Sequence, residues 1–275
     1  MQHMEYISSR SNPLVQKYAK LSDKKSRDAE GLFLIEGAKL FAEAIDSDIS
    51  IETVLFCEGK ENAIAKNALE KLLSTPKYNS TRVICLSESA FSKISTEKSP
   101  DGVICIAKYL DNFRIYNKIE RNDARSYGGD KIMLLCSVRD PGNIGTIARS
   151  AVAFGFDRLI VSADCADPYG SRAMRAAMGA FFKIKIDFVK EFETVPSALI
   201  SIGRRVFCAE LRDGARSLDE IEIDKQDCFM IGNEGHGIPK EISEKCSTSV
   251  YIPIAPNSES LNAAIAASVI AFVQR

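Results

Sequence analysis

"CFMIGNEGHGIPKEI", residues 228–242, combines an apolar run of strand length, a turn with glycines at 232, 235 and 237, and the start of a helix. This order is typical of a ligand site beyond the carboxyl end of a strand in an α/β sheet. In dinucleotide-binding domains the glycine turn follows the first strand, whereas here it lies near the C-terminus. The glycine spacing fits neither GxGxxG nor GxxxxGK[ST], and a plain tight turn remains an equally good interpretation.

The length and overall composition are typical of a globular protein. The chain has 275 residues, enough for two domains of ordinary size, with 45% hydrophobic and 27% charged residues, as in globular proteins. No apolar run approaches the roughly 18 residues that span a bilayer, and the N-terminus lacks the apolar core of a signal peptide. We therefore expect a cytoplasmic protein that does not enter a membrane.

The cysteines, histidines and charges indicate which kinds of site the protein can contain. The eight cysteines form no CxxC pair, and most lie in apolar runs, so we expect buried, reduced thiols. With only His3 and His236, the sequence predicts no metal site. The net charge is −1, but the first 27 residues are basic, which fits either contact with phosphate or an ordinary solvated helix face. The basic residues there are Arg10, Lys17, Lys20, Lys24, Lys25 and Arg27.

Alternating apolar and polar segments predict two α/β regions. Residues 1–110 contain four strand-like runs separated by helical segments, and residues 131–275 contain a longer series that ends in the helical stretch "SESLNAAIAASVIAFVQR". The interval 111–130 is polar, mixed in charge and contains Gly-Gly, which predicts a linker. Strands that alternate with helices predict a mostly parallel sheet.

The unusual residues lie at three strand-to-helix junctions. These are "RDPGNIGTIARS" (139–150), "IGNEGHGIP" (231–239) and "IPIAPNSESLN" (252–262). Asn143 and Ser260 are each predicted to cap the helix that follows, which leaves Asn262 in the first turn of the last helix. Arg149 lies about 1.7 turns after Asn143, so the two need not share a face, and taken alone it is typical of a surface arginine.

Together the three junctions resemble, in order and spacing, the motifs of the SpoU (TrmH-like) family of RNA ribose 2′-O-methyltransferases. The stretch "DPYGSRAMRAAMGAFFKI" resembles that family's segment between strands, and "FLIEGAKLFAEAI" resembles the small substrate-binding domain that many members carry. The resemblance implies a mostly parallel α/β methyltransferase domain over 131–275 with a deep trefoil knot. It further implies an RNA-binding α/β domain over 1–110, a homodimer with its active site near the subunit interface, and an RNA substrate, ribosomal more than transfer RNA.

The same resemblance assigns site residues. S-adenosylmethionine would bind loops of the C-terminal half, at Gly232, Ile252 and Leu261. The catalytic residues would be Asn143, Arg149, Glu234, Ser260 and Asn262. Arg149 would bind phosphate and the reacting hydroxyl, because a guanidinium almost never gives up its proton to act as a base. Glu234 would orient Arg149 or Asn143, while Ser260 and Asn262 would position the ribose or the cofactor.

One departure and three alternatives accompany this interpretation. Pro256 stands where many members have glycine, and it stiffens the last loop. His236 falls at a variable position and receives no role. The alternatives are an RNA-binding paralogue without transferase activity, a transfer RNA target, and a nicotinamide-dependent oxidoreductase, against which the missing GxGxxG counts.

Overall fold

The computed structural model describes residues 5–60, 62–255, 257 and 260–275. They form two compact units. The first contains the described residues up to Leu110 together with Pro168–Phe182, and the second contains Asp111–Asp167 and Lys183–Arg275.

The first unit is a five-stranded sheet with helices. Its strands are β1 (Glu5–Ile7), β2 (Leu32–Glu36), β3 (Ile51–Cys57), β4 (Arg82–Leu86) and β5 (Val103–Lys108). Its helices are α1 (Pro13–Ala19), α2 (Lys24–Glu30), α3 (Ala38–Asp46), α4 (Ala63–Ser74) and α5 (Glu88–Ile94). The strand order is β1-β4-β3-β5-β2. Strand β5 runs antiparallel to both of its neighbours, so this sheet is mixed rather than mostly parallel.

The basic N-terminal segment is only partly available to a ligand. Arg27 is buried, and its guanidinium donates to the carbonyls of Leu21 (2.9 Å) and Ser22 (2.8 Å). Lys17 pairs with Glu30 at 2.9 Å. Four further basic side chains of the segment are exposed: Arg10, Lys20, Lys24 and Lys25.

The second unit begins with β6 (Phe113–Tyr116) and α6 (Arg121–Ser126), so the prediction of a linker over 111–130 is wrong. Strand β6 is a short edge strand, and two of its four side chains are exposed. Its alternation is therefore too short and too polar to stand out from a loop. The next elements are β7 (Ile132–Leu135), α7 (Pro141–Ala153) and β8 (Arg158–Ser162).

After β8 the chain returns to the first unit for residues 168–182, which interrupts the domain predicted over 131–275. This segment contains α8 (Ser171–Ala177), whose Ala173, Met174 and Ala177 are buried. Tyr169 stacks on Tyr109, with ring centroids 4.1 Å apart, and its hydroxyl accepts a hydrogen bond from the Leu110 amide at 2.8 Å.

The rest of the second unit completes an eight-stranded sheet. Its elements are β9 (Lys185–Val189), α9 (Val195–Ile200), β10 (Val206–Ala209), β11 (Arg216–Ser217), β12 (Cys228–Ile231), α10 (Lys240–Ser243), β13 (Thr248–Tyr251) and α11 (Ala263–Val273). The order is β11-β13-β10-β12-β7-β8-β9-β6, and every pair is parallel. The prediction of a mostly parallel α/β domain is confirmed, and the carboxyl ends of β7, β12 and β13 lie at one edge.

Helices α7 and α11, which both begin at this edge, pack against each other. The predicted apolar positions Ile144 and Ile147 of α7 are fully buried. The hydroxyls of Ser150 and Ser268 lie 2.7 Å apart, a close approach that small side chains permit. Helix α11 begins at Ala263, later than the apolar and polar pattern suggests. The threading of α11 through a knot stays a prediction.

A buried ion pair lies toward the opposite edge of the same sheet, where β8 begins. The Arg158 guanidinium contacts Asp187 at 2.6 Å and Asp130 at 2.8 Å, and Asp187 is fully buried. Burial raises the pKa of Asp187, and the neighbouring Arg158 acts against that rise. In the described part of the chain, no helix combines the length and the apolarity needed to cross a membrane.

Candidate active site

The first junction is built on a strong helix start. The Asp140 side chain accepts a hydrogen bond from the Asn143 amide at 3.0 Å, and Pro141 occupies the first helical position of α7. Asn143 is therefore not the cap that the sequence predicted. It lies in the first turn, because the Asp-Pro pair begins the helix three residues earlier, and its side chain is left to make other contacts.

The third junction is capped by a different residue from the one predicted. The side-chain oxygen of Asn262 accepts hydrogen bonds from the amides of Ala264 (2.9 Å) and Ile265 (3.3 Å), so Asn262 and not Ser260 caps α11. Asparagine is among the strongest N-cap residues, which accounts for its presence at a helix start despite its mediocre helix propensity.

A chain of side-chain hydrogen bonds joins all three junctions. The Asn143 amide nitrogen donates to Glu234 Oε1, and the Asn262 amide nitrogen donates to Asn143 Oδ1 at 3.1 Å. Each asparagine thus uses its donor in this chain, and the oxygen of Asn262 holds the helix. Three of the five predicted catalytic side chains come together here although they are far apart in sequence.

The glycine-rich loop of the second junction folds back on itself. The backbones of Asn233 and Gly237 exchange hydrogen bonds of 3.1 and 2.9 Å, and Gly237 adopts a left-handed φ of 65°. A Cβ on Gly232 would lie 2.6 Å from the Gly237 carbonyl carbon. Gly232 is therefore required by the loop's own packing, independently of any ligand.

A cavity of about 570 Å³ opens at the third junction. Ser260, Ile252 and Leu261 line it, and Gly232 is not among the residues that do. The other lining residues are Ala209, Glu210, Leu211, Val250, Tyr251, Pro253, Ile254, Ala255 and Ala266. The volume lies within the range of small-molecule sites, roughly 300–1,000 Å³, and the mostly apolar lining suits an adenine ring. Pro256 lies outside the described residues.

Arg149 is not part of the hydrogen-bonded chain. It is exposed on α7, and none of its contacts with described residues is a hydrogen bond or an ion pair. Six residues of α-helix place it about 9 Å beyond Asn143 along the axis and on another face. The structure of one chain therefore brings Asn143, Glu234 and Asn262 together and places Ser260 at the cavity, while the Arg149 guanidinium has no hydrogen-bond or ion-pair partner among the described residues.

Sequence reasoning missed a second polar network at the same sheet edge. Ser137, which follows β7, has a left-handed φ of 56°. Its hydroxyl donates to Asp164 Oδ2 at 2.8 Å, and Arg139 contacts the same oxygen at 2.8 Å. Burial alone would raise the pKa of Asp164, but hydrogen bonds from Ser162, Arg139 and Ser137 outweigh it and hold the pKa below its ordinary value. The signal available in the sequence was the presence of Ser137, Arg139 and Asp164 within a few residues of the ends of two apolar strands.

Metal chemistry receives no support from side-chain clustering. Within the described ranges, no three His, Cys, Asp or Glu side chains are grouped so that they could hold a metal ion.

Comparison with known proteins places this geometry in a family. The family described as "SpoU rRNA Methylase family" matches residues 130–272, and the "MRM3-like substrate binding domain" matches residues 12–105. A relative from Bacillus subtilis, "23S rRNA (guanosine(2553)-2'-O)-methyltransferase RlmP", is 29% identical over 98% of both chains. A relative from Streptomyces viridochromogenes, "23S rRNA (uridine(2479)-2'-O)-methyltransferase", is 26% identical over 97% of this chain and 90% of its own.

A solved structure agrees with the sequence comparison over nearly the whole chain. The crystal structure of an AdoMet-bound rRNA methyltransferase from Sinorhizobium meliloti superposes with a TM-score of 0.81 at 27% identity, covering 99% of this chain and 97% of that one. The family match covers more than half of this sequence and contains all three junctions. The chain belongs to the SpoU rRNA methylase family.

Proposed function

We propose that this protein transfers a methyl group from S-adenosylmethionine to a ribose 2′-hydroxyl of structured RNA, and that the RNA is ribosomal. The observation that carries the proposal is the hydrogen-bonded chain Glu234–Asn143–Asn262 beside the cavity lined by Ile252, Ser260 and Leu261. The names of the relatives support a ribosomal target, since the Bacillus and Streptomyces proteins are both 23S rRNA 2′-O-methyltransferases.

The cofactor part of the site would use the cavity. Ile252 and Leu261 would contact the nucleoside through apolar groups and backbone, and Ser260 would donate a hydrogen bond. Bound S-adenosylmethionine supplies an electrophilic methyl group. Gly232 would contribute indirectly, because its lack of a side chain lets the loop at Asn233–Gly237 close tightly at the edge of the site.

The ribose part of the site must make a poor nucleophile reactive. A hydroxyl needs its proton accepted or its developing negative charge stabilised, and it must be held in line with the methyl carbon. Asn143 and Asn262, fixed by each other and by Glu234, would position the ribose. Arg149 would bind the adjacent phosphate and the developing oxyanion through its planar guanidinium, which stays protonated.

We further propose that the site is completed in a homodimer. Arg149 is separated from the asparagine pair within one chain, which is consistent with a second copy bringing substrate-binding groups together. Helix α11 supports such an interface because it exposes apolar side chains: Ile265 is 51%, Phe272 50% and Val273 47% exposed. Replacing Phe272 by glutamate should shift the mass measured by analytical ultracentrifugation from dimer to monomer; an unchanged mass contradicts this interface.

The first unit would bind the RNA, and the protein would act in the cytoplasm. The exposed Lys20, Lys24 and Lys25 support the RNA assignment. Replacing all three by glutamate in the intact chain should weaken RNA affinity and reduce its dependence on salt concentration. Removing residues 1–125 is a less clean test, because the segment 168–182 would lose the unit against which it packs. RNA affinity that survives the triple replacement removes this surface from the proposal.

The decisive experiment measures transfer directly. Purified protein is incubated with tritiated S-adenosylmethionine and bulk RNA, and 2′-O-methyl sites are mapped in total RNA from cells with and without the gene. We expect label in ribosomal RNA and the loss of one site in the deletion strain. Cofactor binding without transfer to any RNA would indicate the inactive paralogue. Label in transfer RNA alone would overturn the ribosomal target but not the reaction.

A further inference from the structure

The turn after β7 holds a strained residue at the centre of a polar network. Ser137 is one of the few described non-glycine residues with a positive φ, at 56°. Left-handed backbone is unfavourable for residues with a side chain, and it persists only where surrounding contacts over-determine it. Ser137 therefore needs a physical cause for its conformation.

Each polar group of Ser137 has a partner that supplies this cause. Its amide donates to Ser162 Oγ at 2.8 Å, and its hydroxyl donates to Asp164 Oδ2 at 2.8 Å. Ser162 in turn donates to Asp164 Oδ1 at 2.6 Å. Asp164 thus holds Ser137 twice, once directly and once through Ser162. Arg139 donates to the same carboxylate, so Asp164 accepts hydrogen bonds from three side chains, those of Ser137, Arg139 and Ser162.

The remaining group of Ser137 connects this turn to the glycine-rich loop. Its carbonyl accepts a hydrogen bond of 2.9 Å from the Asn233 side chain. The oxygen of that side chain accepts from the amides of Gly235 (2.9 Å) and His236 (3.1 Å), and Glu234 lies within the turn so formed. The direction of the chain at Ser137 therefore affects both partners of the Asn143–Glu234 hydrogen bond: the start of α7 on one side and the loop on the other.

We propose that Asp164 is a positioning residue for methyl transfer, which holds Ser137 in its left-handed conformation and thereby sets the geometry of the Asn143–Glu234 pair. This inference rests on the proposed function for its effect on catalysis. Asp164 does not itself contact the proposed reacting groups. Its removal should misplace them by a fraction of a helical turn while the cavity lined by Ile252 and Leu261 stays intact, because none of the described residues that line the cavity belongs to the network.

The test compares variants that lose the same contact but differ in tolerance for a positive φ. Ser137→Ala and Ser137→Gly both lose the hydroxyl, but only glycine adopts left-handed backbone without strain. We expect Ser137→Ala and Asp164→Asn to slow single-turnover methyl transfer by about 10- to 100-fold, the effect of a small misplacement of reacting groups. Ser137→Gly should remain near the wild-type rate, and Ser137→Gly in the Asp164→Asn background should recover most of the lost rate.

Two further measurements and a control variant separate positioning from general structural damage. Affinity for S-adenosylmethionine, measured by calorimetry, should stay within about threefold of wild type in every variant, since the cavity is not altered. The side-chain amide resonances of Asn143 should move in Asp164→Asn and return in the double variant. Asp219→Asn, which alters an exposed carboxylate of the second unit, is the matched control and should resemble wild type in all assays.

Two results would overturn the inference. The first is a wild-type rate for both Asp164→Asn and Ser137→Ala. The second is a double variant as slow as Asp164→Asn alone, which would mean that Asp164 acts by another route than Ser137. If Asp164→Asn does not fold, the comparison of Ser137→Ala with Ser137→Gly still decides whether the left-handed conformation at position 137 controls the rate of transfer. If the wild-type protein itself shows no transferase activity, the proposed function is contradicted. The resonances of Asn143 in Asp164→Asn and in the double variant would then still show whether Asp164 sets the position of Asn143.

Discussion

Replacing Asn143 by aspartate tests the hydrogen-bonded chain at its centre. The substitution keeps the size and shape of the side chain but exchanges the amide donor for a carboxylate oxygen that faces Glu234. The other contact survives, because Asn262 donates to the oxygen at position 143, and that donor would then face a charged acceptor. The variant therefore changes one hydrogen bond into an electrostatic repulsion and leaves the other in place.

The magnitude follows from the separation of the two groups. Two unit charges about 3 Å apart repel by about 1.4 kcal/mol in bulk water and about 5.5 kcal/mol at the effective dielectric constant of a protein surface. Both side chains reach solvent, so the lower half of this range applies, which corresponds to about 10- to 100-fold in an equilibrium or a rate. At acidic pH the two carboxyl groups share one proton and restore a hydrogen bond, as in other carboxylate pairs.

The assay is the pH dependence of single-turnover transfer between pH 5 and pH 8.5. We expect the rate of Asn143→Asp relative to wild type to be close to normal at the acidic end and to fall by about 10- to 100-fold as pH rises and the second carboxyl group ionises. Affinity for S-adenosylmethionine should change little. The control is Asn122→Asp, which adds the same charge on the exposed face of α6. A relative rate that does not vary with pH would refute the contact between positions 143 and 234 as a determinant of catalysis.

Substitutions at three further positions test other parts of the structure. Arg149→Ala should slow transfer by about 100- to 1,000-fold while cofactor affinity and melting temperature stay normal, and Arg149→Lys should also be impaired because it lacks the planar fork; near-normal transfer by the alanine variant sinks the catalytic role. Gly232→Val should disrupt the tight loop, because its Cβ would meet the Gly237 backbone, and should weaken cofactor binding in calorimetry; unaltered affinity removes the loop from the cofactor site. Arg158→Met leaves Asp187 buried without its partner and should cost about 3–5 kcal/mol of unfolding free energy. Its melting temperature should fall by about 6–20 °C, and a fall of under about 2 °C would show that the pair is not needed for stability.

The local pattern of apolar and polar residues was sufficient to predict most strands and helices of the second unit. The apolar runs at β7, β8 and β12 predict buried strands, and all three are fully buried in the parallel sheet. The pattern of apolar and polar residues did not predict elements that are short or lie at the edge of a sheet, such as β6. It also failed at the helix starts near Asn143 and Ser260, where two good capping residues competed and only the backbone geometry selects one.

The sequence by itself determined the longer apolar strands, the amphipathic face of α7 and the resemblance to the family's three motifs, because these properties depend on hydrophobicity, periodicity and order along the chain. Only the tertiary structure decided which distant groups meet. Asn143 contacts Glu234 and Asn262, which are separated from it by 91 and 119 positions in the sequence. The segment 168–182 belongs to the first unit, although the chain on both sides of it belongs to the second. The left-handed turn at Ser137, which follows β7, likewise depends on partners from the ends of two other strands, β8 and β12. Such contacts arise from parallel strands that share an edge, and no local pattern records which loops that edge brings together.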